Sequence, residues 1–497
     1  MEINEDSNIG RDYGDDDDMD FLLIIAQCII NNNIALIQCL RRRRRKQQHF
    51  RRQCAALQIL LPPDHRHLPR QAKADFRHGE AYLCIKRDYF GIPGDSFTPI
   101  FKDRTFQMMF RVCRSRVQRM LEDIMTTNHP FYAKSVDAAG KRGACLEAKV
   151  LLPLKTFAYG VPPHTFTDYF QMSEGLAAKC CDEFAAIMKQ LYDEEYLRIP
   201  DTTDMKRIIV LHKERHRVNG MFGSLDCMHT GWKNCPKAWQ ASFKTGKESG
   251  GPTVVLEALS DFNLWFWHAS FGYYYAGSLN DLNILNLSPF LESLVDGTFS
   301  ELEKNCGKAP YEINGNVFHR FFVLVDGIYP TYSRFVKGIQ MPLTDKEKRY
   351  TAWQEAARKD IERAFGVLQC RFQVMARPFL GHCLNKISRV VSSCLIMHNM
   401  CVSDRVMDGD VYARYNPANK VMEEEDGDVL IEYENGEETM VRAQIGLGNV
   451  DNPIVVKNVL ERQNHWREIN DRAEHARLHL ALRDLKGSSA SSRRPTK

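Results

Sequence analysis

The sequence predicts a mixed α/β domain at residues 216–402, preceded by an all-α region at 76–215. Two observations predict it. Short β-like runs appear in the second stretch: Met221 to Leu225, Thr253 to Leu259, Trp265 to Phe271 and Phe321 to Val325. The first stretch instead places its apolar residues at helical spacing. A chain of 497 residues with 44% hydrophobic and 26% charged side chains has the profile of a soluble globular protein. That length is enough for two or three hydrophobic cores.

Residues 1–75 are segregated by charge. Residues 1–20 carry nine acidic side chains against one basic, and 41–70 carry ten basic against one acidic. The run Arg41 to Arg45 followed by Lys46 is either a solvated arm or a patch for nuclear import or phosphate contact. The formal net charge of +4 is too small to argue for nucleic acid by itself. Phe21 to Leu40 is long enough on paper to enter a membrane. Asn31, Asn32 and Asn33 in its middle would need partners in hydrocarbon, so it reads as a helix packed on the protein or a partner. Pro62, Pro63 and Pro69 mark a linker.

In 76–215, Phe101 to Met125 reads as one amphipathic helix. Leu146 to Tyr159 is a second helix, stopped by Gly160, Pro162 and Pro163. A short segment, Thr165 to Phe170, follows, and Ser173 caps a long helix from about Glu174 to Leu191. This is the layout of a helix-turn-helix, whose last helix enters the major groove. Ala177, Ala178, Cys181, Phe184, Ala185 and Met188 would use much of that helix for packing, so a structural hairpin and a DNA reader both stand.

In 216–402 a helix at about Asp281 to Leu294 separates the third and fourth strands. Long helices at about Lys348 to Phe372 and Leu384 to Met400 follow. Three strands, helix, strand, helix is the order of an RNase H-like domain. The remainder, 403–497, holds an acidic stretch (Glu423 to Glu438), a charged helix at about Lys457 to Leu485 and a polar tail expected to be disordered. The 15 cysteines form no C-x-x-C pair, which argues against a zinc ribbon or a disulfide framework and fits a reducing compartment. Cys394, His398 and Cys401 have ligand-like spacing but continue an apolar helix pattern, so they read as packing.

Asp226 follows the first strand and Asp326 the fourth. A charge at the end of a buried strand must be paired or bind something. If the two strands are parallel neighbours, both carboxylates meet at one edge of the sheet, where α/β sites lie. Each alone is as well explained by a turn. Glu355, Asp360 and Glu362 on the next helix are candidates for a third acid, with Glu362 bordering the apolar stripe. Clustered carboxylates hold hard cations such as Mg²⁺ and Mn²⁺, and two such ions about 3.5–4 Å apart suit in-line phosphodiester cleavage.

Several ordered runs carry a resemblance. They are Gly223-Ser224-Leu225-Asp226-Cys227-Met228-His229, Trp232-Lys233-Asn234-Cys235-Pro236 and Gly277-Ser278-Leu279-Asn280-Asp281. Val325-Asp326-Gly327-Ile328-Tyr329-Pro330, Arg358 to Leu368 and Met397-His398-Asn399-Met400 complete the set. From Met221 to about Asp404 the chain closely resembles the catalytic domain of PIF/Harbinger-type transposases and their derived nucleases. The resemblance implies an RNase H-like DDE nuclease with Asp226, Asp326 and Glu362 as catalytic, metal-holding acids and two divalent cations, Mg²⁺ or Mn²⁺, as cofactors. It also implies double-stranded DNA as substrate, at transposon ends and target. A Myb-like DNA-binding partner, a homo-oligomer and a nuclear location follow by the same analogy, with no membrane role. A domesticated binding protein without transposition is the alternative, and an RNase is a third.

His229 is an auxiliary candidate, for orienting a phosphate or the attacking water. Asp281 fits the resembled family's fourth acidic position, although Ser278 and Asp281 also form a helix-start pair. Lys233, Lys244 and Lys247 are candidates for phosphate contact or ordinary surface lysines. Gly272 to Gly277 stands where a shorter loop is usual in that family.

Overall fold

The computed structural model describes residues 76–91, 98–133, 136, 143–245, 250–407 and 459–488. The charge-segregated arm with its basic run, the segment Phe21 to Leu40, Lys247, the acidic stretch at 423–438 and the extreme tail lie outside these residues. Among the described residues no helix is long and apolar enough to cross a membrane.

The helical part opens with α1 (His78–Ile85), α2 (Asp103–Phe110) and α3 (Arg114–Thr126). The single helix expected over Phe101 to Met125 is thus two. Arg111 turns left-handed at φ 64° and ends α2, which lets Phe110 and Val112 both enter the core. Next, α4 (Leu146–Tyr159) stops at left-handed Gly160. Ser173 accepts the Leu176 N–H at 3.2 Å and caps α5 (Glu174–Tyr196). Helix α5 buries nine of its 23 side chains, from Ala177 to Tyr196, so one broad face serves packing. Then α6 (Thr202–His216) begins with a reciprocal capping box between Asp201 and Asp204.

A mixed five-stranded sheet follows, in the order β3-β2-β1-β6-β7. Strand β1 (Met221–Gly231) runs antiparallel to β2 (Thr253–Ser260), and β2 antiparallel to β3 (Phe266–Ala276). On the other side of β1, the short β6 (Phe322–Leu324) runs parallel and pairs with the parallel β7 (Phe335–Val336). Between β3 and β6 lie α7 (Asp281–Leu285), α8 (Pro289–Val295) and α9 (Thr298–Asn305), then a separate hairpin of β4 (Tyr311–Ile313) and β5 (Asn316–Phe318). The helix expected over Asp281 to Leu294 is broken because Ser288 caps a new start with Pro289 at its first position. Gly272 to Ala276 is not a loop but the end of β3, and a register shift against β2 absorbs the extra residues.

Two long helices, α10 (Asp345–Arg371) and α11 (Leu384–Met407), complete the matching stretch. A capping box of Thr344 and Glu347 starts α10. Residues of α3, α4, α5, β2, β3, α10 and α11 share one hydrophobic core. A second core, under β6 and β7, includes Ile469, Leu478, Ala481 and Leu482. These last come from α12 (Val459–Ile469) and α13 (Arg472–Ser488), into which the expected charged helix divides. Its charge pattern hid a buried face: α13 packs on α10, and Lys486 Nζ donates to the carbonyls of His216 and Arg217 at the end of α6.

Gly223 shows how tightly β1 is seated. A Cβ there would lie 2.5 Å from the Ser260 carbonyl oxygen of β2, so only a residue without a side chain fits. Gly223→Ala is expected to cost about 1–3 kcal/mol in urea melts by forcing the two central strands apart. A variant melting with the wild type would contradict this packing.

Candidate metal centre

Strand β1 does not end at Asp226. It continues to Gly231 along β2, while its pairing with β6 stops at Ser224 and Leu324. Asp226 and Asp326 each lie two residues beyond that last pair, so parallel strands carry them to one level at the mouth where β1 and β6 part. A strand position facing away from a paired neighbour gives a carboxylate access without breaking the sheet.

Helix α10 crosses the same mouth and is fastened to it along one line. Gln354, buried, donates to the carbonyls of Val325 and Val336, both at 3.0 Å, and so pins the ends of β6 and β7. One turn on, Arg358 Nη1 lies 3.2 Å from Asp226 Oδ2. Its Nη2 lies 3.1 Å from Glu362 Oε1, a further turn along. Residues spaced by four share a helix face, which is why one helix reaches strand ends, Asp226 and Glu362 together. Tyr350 donates to the Lys337 carbonyl and Lys337 Nζ to that of Tyr329, fixing the loop after Asp326.

Of the three acids open on this helix, Glu362 is thus the one joined to Asp226. Asp360 is buried on another side, with His216 Nε2 at 2.7 Å and Arg363 as its partners. Glu355 is exposed.

Asp226 is 19% exposed in its side chain and accepts the Cys227 N–H at 2.8 Å. Burial pushes its carboxyl up to about 6. Asp281 and Glu362 add to the rise, and the Cys227 N–H and Arg358 oppose it. Asp326 is exposed and accepts the Gly327 N–H at 2.7 Å, which also serves its turn. Asp281 does not cap its helix: the cap of α7 is Asn280, which accepts the Asn283 N–H at 2.9 Å, and Ser278 donates to the Ser242 carbonyl. The Asp281 carboxyl is raised by burial, with Asp326 and Glu257 adding to the rise and His229 and Cys227 countering it. Asp226 thus feels the like charges of Asp281 and Glu362, and Asp281 feels that of Asp326, which links the four acids into one chain of repulsions. His229 Nδ1 lies 3.2 Å from Thr253 Oγ1, beside Asp281. Lys233 and Lys244 are exposed.

Three residues here went unassigned from sequence. Arg358 sits inside a quoted motif, but nothing in its spacing announces a double ion pair. Glu257 does have a signal, a lone acid in the apolar run Val254 to Leu259. It faces Cys227 across the strands, is fully buried, and reaches His268 Nε2 at 3.1 Å. Tyr329, also buried, sets its hydroxyl 3.6 Å from Cys227 Sγ.

The donor set of the acidic group is oxygen only, which suits a hard divalent cation, and its excess negative charge is what such an ion would relieve. Asp226, Asp326 and Glu362 do not hold their oxygens close together; Arg358 stands between the first and last. Among the described residues, His212, His216 and Asp360 do have ligand atoms all within 4.8 Å. Those atoms already serve one another and the backbone. His212 Nδ1 bonds the Met221 carbonyl at 3.0 Å and Nε2 accepts the Phe262 N–H at 3.1 Å, while His216 and Asp360 pair directly. Hydrogen bonding that fastens α6 and α10 to the sheet accounts for this cluster.

Residues 194–409 match the profile of a plant transposon protein family, a span running from the end of α5 through α11 and holding all four acids. No curated protein and no solved structure matches the chain. The family match supports a transposase-related protein.

Proposed function

We propose that this chain is a metal-dependent DNA endonuclease of PIF/Harbinger type, with an RNase H-like sheet and a DDE triad of Asp226, Asp326 and Glu362. The observation that carries the reading is that two parallel neighbouring strands and one crossing helix bring acids from three distant parts of the chain to one mouth. The strand order β3-β2-β1-β6-β7 with β6 parallel to β1 supports the RNase H-like assignment.

Two divalent cations, Mg²⁺ or Mn²⁺, would supply Lewis acidity at the scissile phosphate and lower the pKa of the attacking water. The chain's own residues do the rest. Asp226, Asp326 and Glu362 would hold the cations with carboxylate oxygens. Asp281 adds negative charge to the same mouth, and His229 orients the water or a phosphate oxygen. Water attacks phosphorus, the P–O3′ bond breaks, and a 3′-hydroxyl is released. In strand transfer that hydroxyl attacks a target phosphodiester in the same way. Lys233, Lys244 and Lys247 contact phosphates. Transposon ends and target, both double-stranded DNA, a Myb-like partner and a homo-oligomer complete the proposed assembly. The basic run at 41–46 supports nuclear entry.

The test is nicking of a supercoiled plasmid carrying the element's ends, with Mn²⁺. Losing one metal-holding carboxylate removes several kcal/mol of transition-state stabilisation, so Asp326→Asn and Glu362→Gln are expected to cut roughly 10²–10³-fold more slowly. Wild-type rates in these variants would overturn the assignment.

A further inference from the structure

The Arg358 guanidinium occupies a place that an ordinary helix-surface arginine does not. Its two terminal nitrogens are spent on two different acids: Nη1 on Asp226 of β1 at 3.2 Å and Nη2 on Glu362 of α10 at 3.1 Å. The side chain is only 18% exposed, and its stem rises from the helix face that Gln354 fastens to the strand ends. A guanidinium keeps its charge, so losing its own proton is not what releases it. With both acids ionised, another cation between them, or an anion outside them, can move it.

A divalent ion binds carboxylate oxygens at about 2.0–2.2 Å, whereas the guanidinium spaces the same oxygens around a planar fork. The two arrangements exclude one another, sterically and because like charges repel in a half-buried mouth. The fork holds apart the two carboxylates it pairs with, those of Asp226 and Glu362.

We propose that Arg358 is a resident cation seated between Asp226 and Glu362, and that a divalent ion enters this position only by displacing it. The inference rests on the metal-site reading above and adds a gate to it. The protein folds around a partly neutralised acidic mouth without metal, and loading carries the cost of breaking two ion pairs.

The test is Mn²⁺ binding to the full chain without DNA, by calorimetry and by the electron paramagnetic resonance signal of free Mn²⁺. Wild type, Arg358→Gln, Arg358→Lys and Asp226→Asn are compared, with melting curves in EDTA. Arg358→Gln is expected to bind Mn²⁺ at least about tenfold more tightly than wild type. It should melt lower in EDTA and gain more from added Mn²⁺. Arg358→Lys, which keeps the charge, should stay within a few-fold of wild type and also reports if the Gln variant fails to fold. A folded Arg358→Gln with equal or weaker Mn²⁺ affinity overturns the gate while Asp226→Asn still weakens binding. An Asp226→Asn variant that binds as wild type overturns the metal site and the gate together.

Discussion

Asp226→Asn is expected to make the metal-free protein more stable at pH 8 while removing its Mn²⁺-dependent cutting. The Asp226 carboxyl is pushed up to about 6 from an ordinary 3.8, chiefly by burial, with Asp281 and Glu362 adding to the rise. A raised acid binds its proton more tightly in the folded state than in the unfolded one. Its stabilising contribution is complete below the unfolded value, declines as pH rises through the window from about 4 to 6, and becomes a full penalty above it. Two units correspond to about 3 kcal/mol. Partial solvent access and loss of the Arg358 contact reduce the expected gain to about 1–2 kcal/mol. Melting curves in EDTA at pH 5 and pH 8 check it: the variant's advantage should grow with pH. In saturating Mn²⁺ the order should reverse, because the wild type alone gains binding free energy. A variant that melts lower than wild type at pH 8 in EDTA would show that the acidic group is not under strain.

Asn399→Leu is expected to be among the most damaging single changes in the fold. Asn399 is fully buried in α11. Its Oδ1 accepts the Phe266 N–H at 3.0 Å, and Nδ2 donates to the carbonyls of Tyr196 at 2.7 Å and Phe266 at 3.0 Å. One amide thereby ties the start of β3 to the end of α5. Leucine would leave three buried backbone groups unpaired, at about 1–3 kcal/mol each, so a loss of about 3–5 kcal/mol is expected in urea melts. A loss below about 1 kcal/mol would mean that water or a rearranged backbone replaces the amide.

These two variants separate what the quoted motifs do. The runs around Asp226, Asp281, Asp326 and Glu362 surround the acidic mouth. The other two hold the frame. Trp232 Nε1 donates to the Gly381 carbonyl and Asn234 Nδ2 to that of Leu380, both at 2.7 Å, clasping the end of β1 to the chain ahead of α11. His398 lies buried with Nε2 2.8 Å from the Leu264 carbonyl, and Cys394 and Cys401 are buried beside it, so their spacing serves packing.

Strands β1, β2, β3 and β6 are legible because β-branched and aromatic runs bounded by turns are local signals; the three-residue strands β4 and β5 are not, and the parallel pairing of β1 with β6 stands in the sequence only as a condition. What was not legible is what only the folded chain decides. The kink at Arg111 and the break at Pro289 preserve apolar spacing, so periodicity alone cannot distinguish them from straight helices. Strand β7 is two residues long and is held by Gln354 from a distant helix. The buried face of α13 was masked by charges that pair across elements, such as Asp484 with Lys346 at 2.6 Å. For Asp281 the sequence leaves a fourth acidic position and a helix-start pair with Ser278 both open; Asn280 takes the cap and leaves the carboxyl within the field of Asp326. The choice among Glu355, Asp360 and Glu362 needed the register of α10 against β1, which no local pattern contains.

The central claim is that divalent cations bind at the mouth between β1, β6 and α10. Anomalous diffraction from crystals soaked in Mn²⁺ tests it most directly. Anomalous density is expected against the carboxylates of Asp226, Asp326 and Glu362, with the Arg358 side chain swung away. Density confined to His212, His216 and Asp360, or none at Mn²⁺ concentrations that support cutting, would contradict it.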